Sequence, residues 1–224
     1  MGFKNIVTLC MLIIACAIMV RLGVWQLDRL AWKTDIIDKL VVQQAVDPMT
    51  NKLDLDNPVA FQRGYVDGVF INKPSIHIAP RTNDGQVGYH VIAPFETTGG
   101  NMILINRGWV ADGITDYSAP PKGRVKIAGY LQKPDQKNSF TPENTTSQNR
   151  WYWMDIEAAS IHYNGRFYDR LLYLESPSVA RPQPFTNLPQ PRNKHAQYAT
   201  FWFFMAGLLA FLSGLYWFTK VKNS

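Results

Sequence analysis

Two uncharged apolar runs stand at the ends of this chain, with a stretch of mixed polar and apolar positions between them. From Ile6 to Val20 no residue is charged, and the run continues past Arg21 through Leu22, Gly23 and Val24 to Trp25. A helix rises 1.5 Å per residue, so Arg21 stands about 22 Å along from Ile6. There its stem stays in lipid while its head reaches water, and Trp25 reads as an interfacial belt aromatic. The second run, Tyr198 to Phe218, carries no charge over about 31 Å, which matches a hydrocarbon core of about 30 Å. The pattern predicts transmembrane helices over 6–25 and 198–218. Ala15-Cys16-Ala17 resembles a signal-cleavage site, but the apolar run continues past it, which favours a retained span.

Between the runs the periodicity changes. Leu27, Leu30 and Ala31, then Ile37, Leu40 and Val41, recur at helical spacing until Pro48, so the first span is expected to run on into an amphipathic stem over 26–47. Beyond it the period is two. Val125, Ile127 and Gly129 alternate with Arg124, Lys126 and Ala128, and Ile76 and Ile78 alternate with Ser75 and His77, the mark of half-buried strands. Tyr89–Phe95 and Met102–Trp109 flank a glycine-containing loop and predict a hairpin. A short helix over Ile156–His162 is expected, with Asp155 as N-cap and Gly165 as its stop, then a strand over Arg170–Leu174. Residues 135–149 read as an exposed polar loop, and the sequon at Asn144 as chance. The predicted architecture is two transmembrane helices flanking an exported, antiparallel, β-rich α+β domain over 48–176. Five prolines between Pro177 and Pro191 predict an extended strut over 177–197 leading back to the membrane.

Charge and cysteine content narrow the setting. Only 18% of residues are charged, below the roughly 25% of ordinary soluble domains. The formal charge of +6 is not gathered into a basic, aromatic-interleaved element, so a nucleic-acid partner is excluded. Lys4 in the tail 1–5, and Lys220 and Lys222 in the tail 219–224, place both termini in the cytoplasm and the central domain outside. No Arg- and Ser-rich presequence precedes the first span, so a bacterial plasma (inner) membrane with a periplasmic domain is expected. Cys10 and Cys16 lie in one span, about 9 Å apart in helical rise, too far for a disulfide. The exported domain therefore has no disulfide, C-x-x-C site or thiolate copper site.

No common catalytic fingerprint occurs. His77, His90 and His162 stand without a second ligand at metal spacing, which suits surface or core roles. His195 differs, because it precedes Tyr198 at the mouth of the second span, beside Arg192 and Lys194, with Trp202 two turns along. A neutral imidazole there suits a haem iron, the aromatics a macrocycle and the cations its propionates; the plainer reading is an interfacial polar residue. Ala206, Ala210 and Gly214 form a small-residue stripe for packing against the first span or a partner helix.

Three blocks then carry a resemblance. Leu22-Gly23-Val24-Trp25-Gln26 with Arg29, Trp32 and Lys33 resembles the first-span exit of the Surfeit locus protein 1 family. Gly88-Tyr89-His90-Val91 with Pro94-Phe95, and Arg107-Gly108-Trp109-Val110, are similar to its central blocks. Asn193-Lys194-His195, running through Tyr198-Ala199 to Trp202, resembles its second-span start, with Lys194 departing from a second Asn. The resemblance implies a non-enzymatic assembly factor for a haem-copper cytochrome oxidase of the respiratory chain, acting on the oxidase catalytic subunit, with haem a synthase as a further partner. It implies haem a as cofactor and His195 as the iron ligand; Tyr198, Trp202, Arg192, Lys194, Trp25 and Arg29 are the candidate cofactor-binding residues around it. For Arg107-Gly108-Trp109 a structural role is favoured over haem contact. The alternatives are a haem-free scaffold for the oxidase subunit and, from another class, an exported hydrolase using His90 with Asp or Ser partners.

Overall fold

The computed structural model describes residues 3–176, 181–186 and 188–222. The chain order is α1 (Phe3–Gln44), β1 (Arg63–Phe70), β2 (Ile76–Asn83), β3 (Gln86–Thr97), β4 (Met102–Ala111), β5 (Arg124–Gln132), a 3-10 turn (Thr146–Gln148), α2 (Ile156–Tyr163), β6 (Phe167–Leu174) and α3 (His195–Lys222). These form two compact units, one made by the terminal helices up to Asp38 and from Gln190, the other by Lys39–Pro189.

The first span and the stem are one unbroken helix, as the continuous 3.6-residue spacing predicts. The second helix begins at His195, three residues before the apolar run, because Asn193 accepts a hydrogen bond from the His195 N–H (3.4 Å) and starts the first turn earlier. Asn5–Gln44 and His195–Lys220 are long and apolar enough to cross a membrane, with mean hydropathy 2.5 and 1.7 in their most apolar windows, and almost none of either window is buried within the chain. A core helix of a soluble domain would be buried; these two expose Ile13, Ile14, Phe204, Phe211 and Phe218.

The central unit is a closed barrel rather than a simple antiparallel sheet. β1 pairs with β5 on one edge and, over Gly68–Phe70, with β3 on the other, so the sequence of neighbours β1-β5-β6-β4-β3 returns to β1. β2 extends the sheet beyond β3, joined to it by a two-residue turn at Asp84-Gly85 in which both residues have positive φ, the backbone of a type I′ hairpin. β3 and β4 form the expected antiparallel hairpin, longer than the sequence pattern shows. The pairing of β4 with β6 is parallel, with Leu104 opposite Leu171 and Ile105 opposite Leu172. This corrects the all-antiparallel expectation, and its cause is the long connection through α2, of the kind parallel strands require.

Two cores explain why β4 reads as a continuous apolar run rather than an alternation. Ile103, Ile105 and Leu172 face the barrel interior with Val66, Phe95, Ile127 and Leu131. Leu104 and Leu171 face the opposite way, onto Trp151, Ala159 and Tyr163. A strand covered on both faces loses its period-two signature. Asp155 caps α2 as expected, its carboxylate accepting from the Ala158 N–H at 3.0 Å, but the left-handed residue at the C-terminal end is Asn164, one position before Gly165.

Residues 177–180, 187 and 223–224 of the expected strut and tail, and Met1 and Gly2, lie outside the described residues. The rest of the strut is not free. Gln183 exchanges both backbone hydrogen bonds with Trp109 (2.9 and 2.7 Å), and the Phe185 N–H donates to the Leu174 carbonyl at 2.9 Å. A segment of fixed-φ prolines keeps an extended backbone and so adds itself to strand edges. The expected loop 135–149 is mostly exposed. Its Asn144 is structural, accepting from Tyr152 N–H (2.8 Å) and donating to the Trp153 carbonyl (3.1 Å).

Candidate functional site

The helix pair is organised by a seam of three- and four-residue steps. On α1 the sheltered positions include 12, 16, 19, 23, 26, 30 and 33; on α3 they include 195, 199, 202, 206, 209, 213 and 217. Such spacing keeps one stripe of each helix against the other. The contacts climb in antiparallel register. Lys220 donates to the Asn5 side chain at 2.9 Å, Cys16 Sγ lies 3.8 Å from the Ala206 carbonyl, and a Cβ built at Gly23 would fall 2.7 Å from the Phe203 ring. At the seam's end His195 Nδ1 lies 2.7 Å from Gln26 Oε1. Two turns further along α1, Asn193 Nδ2 donates to Thr34 Oγ1 at 3.3 Å.

This places His195 with some care. The Asn193 side chain starts α3 and ties it to the stem, and Gln26 grips the imidazole from α1. With Gln26 Oε1 facing it, Nδ1 is the ring nitrogen suited to carry the proton, which would leave Nε2 its lone pair. Nε2 has no protein partner among the described residues. Gln26 is the residue that motif reading passed over as a site residue; its place three residues after Gly23 in the seam is the pattern that identifies it.

The other expected site residues divide. Trp202 turns a sheltered side toward the seam two turns beyond His195, with its ring edge-on to Phe201 at 5.5 Å. Tyr198, Arg192 and Lys194 are exposed around His195, and neither cation is in an ion pair among the described residues. Trp25 and Arg29 are brought together differently: the Arg29 guanidinium lies 5.7 Å from the Trp25 ring and 5.4 Å from that of Trp32, making an exposed ladder along α1. No hydrogen bond, ion pair or ring contact joins that ladder to His195 among the described residues. The small-residue stripe also divides. Ala206 is buried against α1, whereas Ala210 and Gly214 are exposed.

The barrel's polar residues serve the fold. Arg107 is buried and donates to the carbonyls of Ser118 (2.8 Å) and Ala119 (3.3 Å), holding down the loop after β4; burial draws its pKa below the usual value. Gly108 has φ +129°, and a Cβ there would run into the Gln183 carbonyl. Trp109 Nε1 donates to the Arg81 carbonyl at 3.1 Å. The central arginine-glycine-tryptophan block is therefore structural. His77 Nε2 meets the Tyr117 hydroxyl at 2.6 Å, and burial lowers the pKa of its ring. His90 Nδ1 faces Asn106 Nδ2 at 3.2 Å, and burial, with the Arg81 charge second, brings its pKa down to about 4. A base that weak, with Nδ1 already engaged, does not suit the hydrolase reading. A cleft of about 420 Å³ on the barrel is lined by His77, Tyr89, Asp112, Arg150, Trp151 and Tyr152.

The family model described as the SURF1 family matches residues 13–207, from within α1 to within α3. The chain belongs to the SURF1 family. Among its relatives, the SURF1-like protein of Rickettsia felis is 25% identical, over 87% of this chain and 89% of its own length. Surfeit locus protein 1 of Mus musculus is 28% identical, over 89% of this chain and 71% of its own. The SURF1-like protein of Caenorhabditis elegans is 27% identical, over 90% and 70%.

His195 can be tested as an iron ligand on geometry alone. Among the described residues no three His, Cys, Asp or Glu side chains gather as a metal cage. A lone imidazole suits a metal whose equatorial ligands arrive with it, as in a haem. A partly sheltered imidazole whose Nδ1 meets an oxygen, and whose Nε2 has no partner among the described residues, is the arrangement a histidine metal ligand needs. The residues present fit the group.

Proposed function

We propose that this SURF1-family protein is an assembly factor for a haem-copper terminal oxidase, without catalytic activity of its own. It holds haem a at the outer face of a bacterial plasma membrane and presents it to the nascent catalytic subunit, with haem a synthase as the donor-side partner. The observation that carries this reading is the unengaged Nε2 of His195 at the mouth of α3, its other ring nitrogen held by Gln26. Bound haem a would supply a Lewis-acidic iron centre. The chain's own residues supply the rest: His195 the axial nitrogen, Trp202 and Tyr198 flat apolar surface, and Arg192 and Lys194 charge for carboxylates. A hold through one imidazole, rather than through a cage of side chains, suits a carrier. Trp25 and Arg29 form an interfacial ladder along α1.

The lysines in both tails set the orientation, with termini inside and the barrel outside. Alkaline phosphatase fused after the final helix should be inactive, and activity there would reverse the topology. The haem reading is tested by the haem-to-protein ratio after purification in mild detergent. Wild type and His77→Ala should carry haem, and His195→Ala should accumulate normally and lose most of it. Full retention in His195→Ala overturns the assignment. A second reading, a haem-free scaffold, draws on the exposed Ala210 and Gly214, which leave part of α3 open to another helix. A colourless wild-type protein that co-purifies with the oxidase subunit would select it.

A further inference from the structure

Gln26 lies at a sheltered position of the α1 seam, and its Oε1 is 2.7 Å from His195 Nδ1. An amide oxygen only accepts, so this contact needs the proton on Nδ1. Were the carboxamide reversed, its NH2 would face Nδ1, the proton would sit on Nε2, and the nitrogen facing outward would be closed to a metal. The orientation of one amide on α1 thus decides what an imidazole on α3 can do. The helices are set for this contact at two neighbouring points: Gly23, one turn earlier, lets the Phe203 ring approach, and Asn193 fixes the first turn of α3.

We infer that Gln26 is a positioning residue for His195: from the first helix it fixes the imidazole as the Nδ1–H tautomer and aims Nε2 outward as a ready axial ligand. The inference rests on the proposed role of His195 as an iron ligand. Histidine ligands to metals characteristically donate the other ring N–H to an oxygen acceptor, and removing that acceptor costs about 10–100-fold in metal affinity. Because the acceptor and the ligand sit on different helices, the ligand is competent only while the two helices are paired. A partner that pries them apart would release both the hydrogen bond and the ring orientation, coupling cargo release to docking.

The test begins without haem. In the full-length apoprotein, labelled with 15N-histidine in detergent at a pH where the ring is neutral, long-range correlations report which ring nitrogen of His195 is protonated. Wild type should show Nδ1–H, Gln26→Leu should shift His195 toward the Nε2–H form, and Gln26→Glu should keep Nδ1–H. Haem a titrated into the same proteins should bind about 10–100-fold more weakly to Gln26→Leu. It should be retained by Gln26→Glu with a lowered midpoint potential, because a carboxylate draws the Nδ1 proton harder. An Nε2–H pattern in wild type, or ring shifts unchanged in Gln26→Leu, overturns the inference. If His195→Ala loses haem while Gln26→Leu leaves the shifts unchanged, the assignment of Gln26 fails alone. If the shifts respond to Gln26→Leu and His195→Ala retains haem, the haem reading fails and the tautomer lock stands.

Discussion

Gly23 on α1 lies directly beneath the ring of Phe203 on α3, so close that a single added Cβ would fall 2.7 Å from it. Small residues at such crossings let helices meet by packing, which in lipid replaces the hydrophobic driving force. Gly23→Val should destabilise the helix pair by about 1–3 kcal/mol, the usual cost of overpacking. Thermal unfolding in detergent reads this. Phe203→Ala combined with Gly23→Val should recover much of the loss, and Gly207→Ala, which meets no atom within 4 Å, should change little. Equal effects at positions 23 and 207 would exclude a specific contact.

Gly108 joins the strand to the strap. Its φ of +129° is closed to L side chains, and the Gln183 carbonyl fills the space a Cβ would need. Gly108→Ala therefore combines backbone strain of about 1–3 kcal/mol with displacement of Gln183. Amide hydrogen exchange at Trp109 and Gln183, which donate to each other's carbonyls, should speed up together. Unchanged protection at both would show that the strap tolerates a side chain.

Asp155 accepts from the Ala158 N–H at 3.0 Å and caps a helix of only eight residues. Asp155→Ala should cost about 1 kcal/mol, read by urea unfolding, whereas Asp155→Asn should cost little because the amide oxygen still accepts.

How far the sequence told this story depends on how far each contact reaches. The helices, the β3–β4 hairpin and the Asp155 cap were legible because each is set by residues near one another in the chain. Barrel closure was not: it depends on Gly68 of β1 finding Thr97 of β3, a pairing with no local mark. The parallel β4·β6 pair was hidden for the same reason, since burial of both faces erased the alternation in Met102–Asn106. At the candidate site, the sequence singled out His195 by its place just ahead of the second apolar run. It did not single out Gln26, whose contact with His195 forms only when α1 and α3 pair across 169 positions of sequence. The partners of Arg107, the carbonyls of Ser118 and Ala119, lie in a loop whose path the pattern did not specify.

The barrel should lose stability in mild acid, and His90 names the cause. Asn106 Oδ1 already accepts from the Gly108 N–H at 3.2 Å, so Asn106 presents its NH2 to His90 Nδ1, which must be unprotonated. Protonating the ring would set an N–H against an NH2 inside a desolvated site. Burial, with the Arg81 charge second, accordingly lowers the His90 pKa from 6.5 to about 4. The folded state then refuses a proton that the unfolded chain accepts. The stabilisation is complete above about pH 6.5 and is lost progressively as pH falls toward 4, amounting to about 2–3 kcal/mol near pH 4.5. Burial depresses His77 in the same direction, so a His90 variant should keep part of the slope. Urea unfolding of the full-length protein in detergent at pH 7.5 and 4.5 separates the terms. Wild type should lose about 2–3 kcal/mol more than His90→Gln between the two pH values, and His77→Gln should reduce the slope by a smaller amount. Equal losses in wild type and His90→Gln would show that the His90 ring is free to protonate in the folded barrel, contrary to the geometry of Asn106.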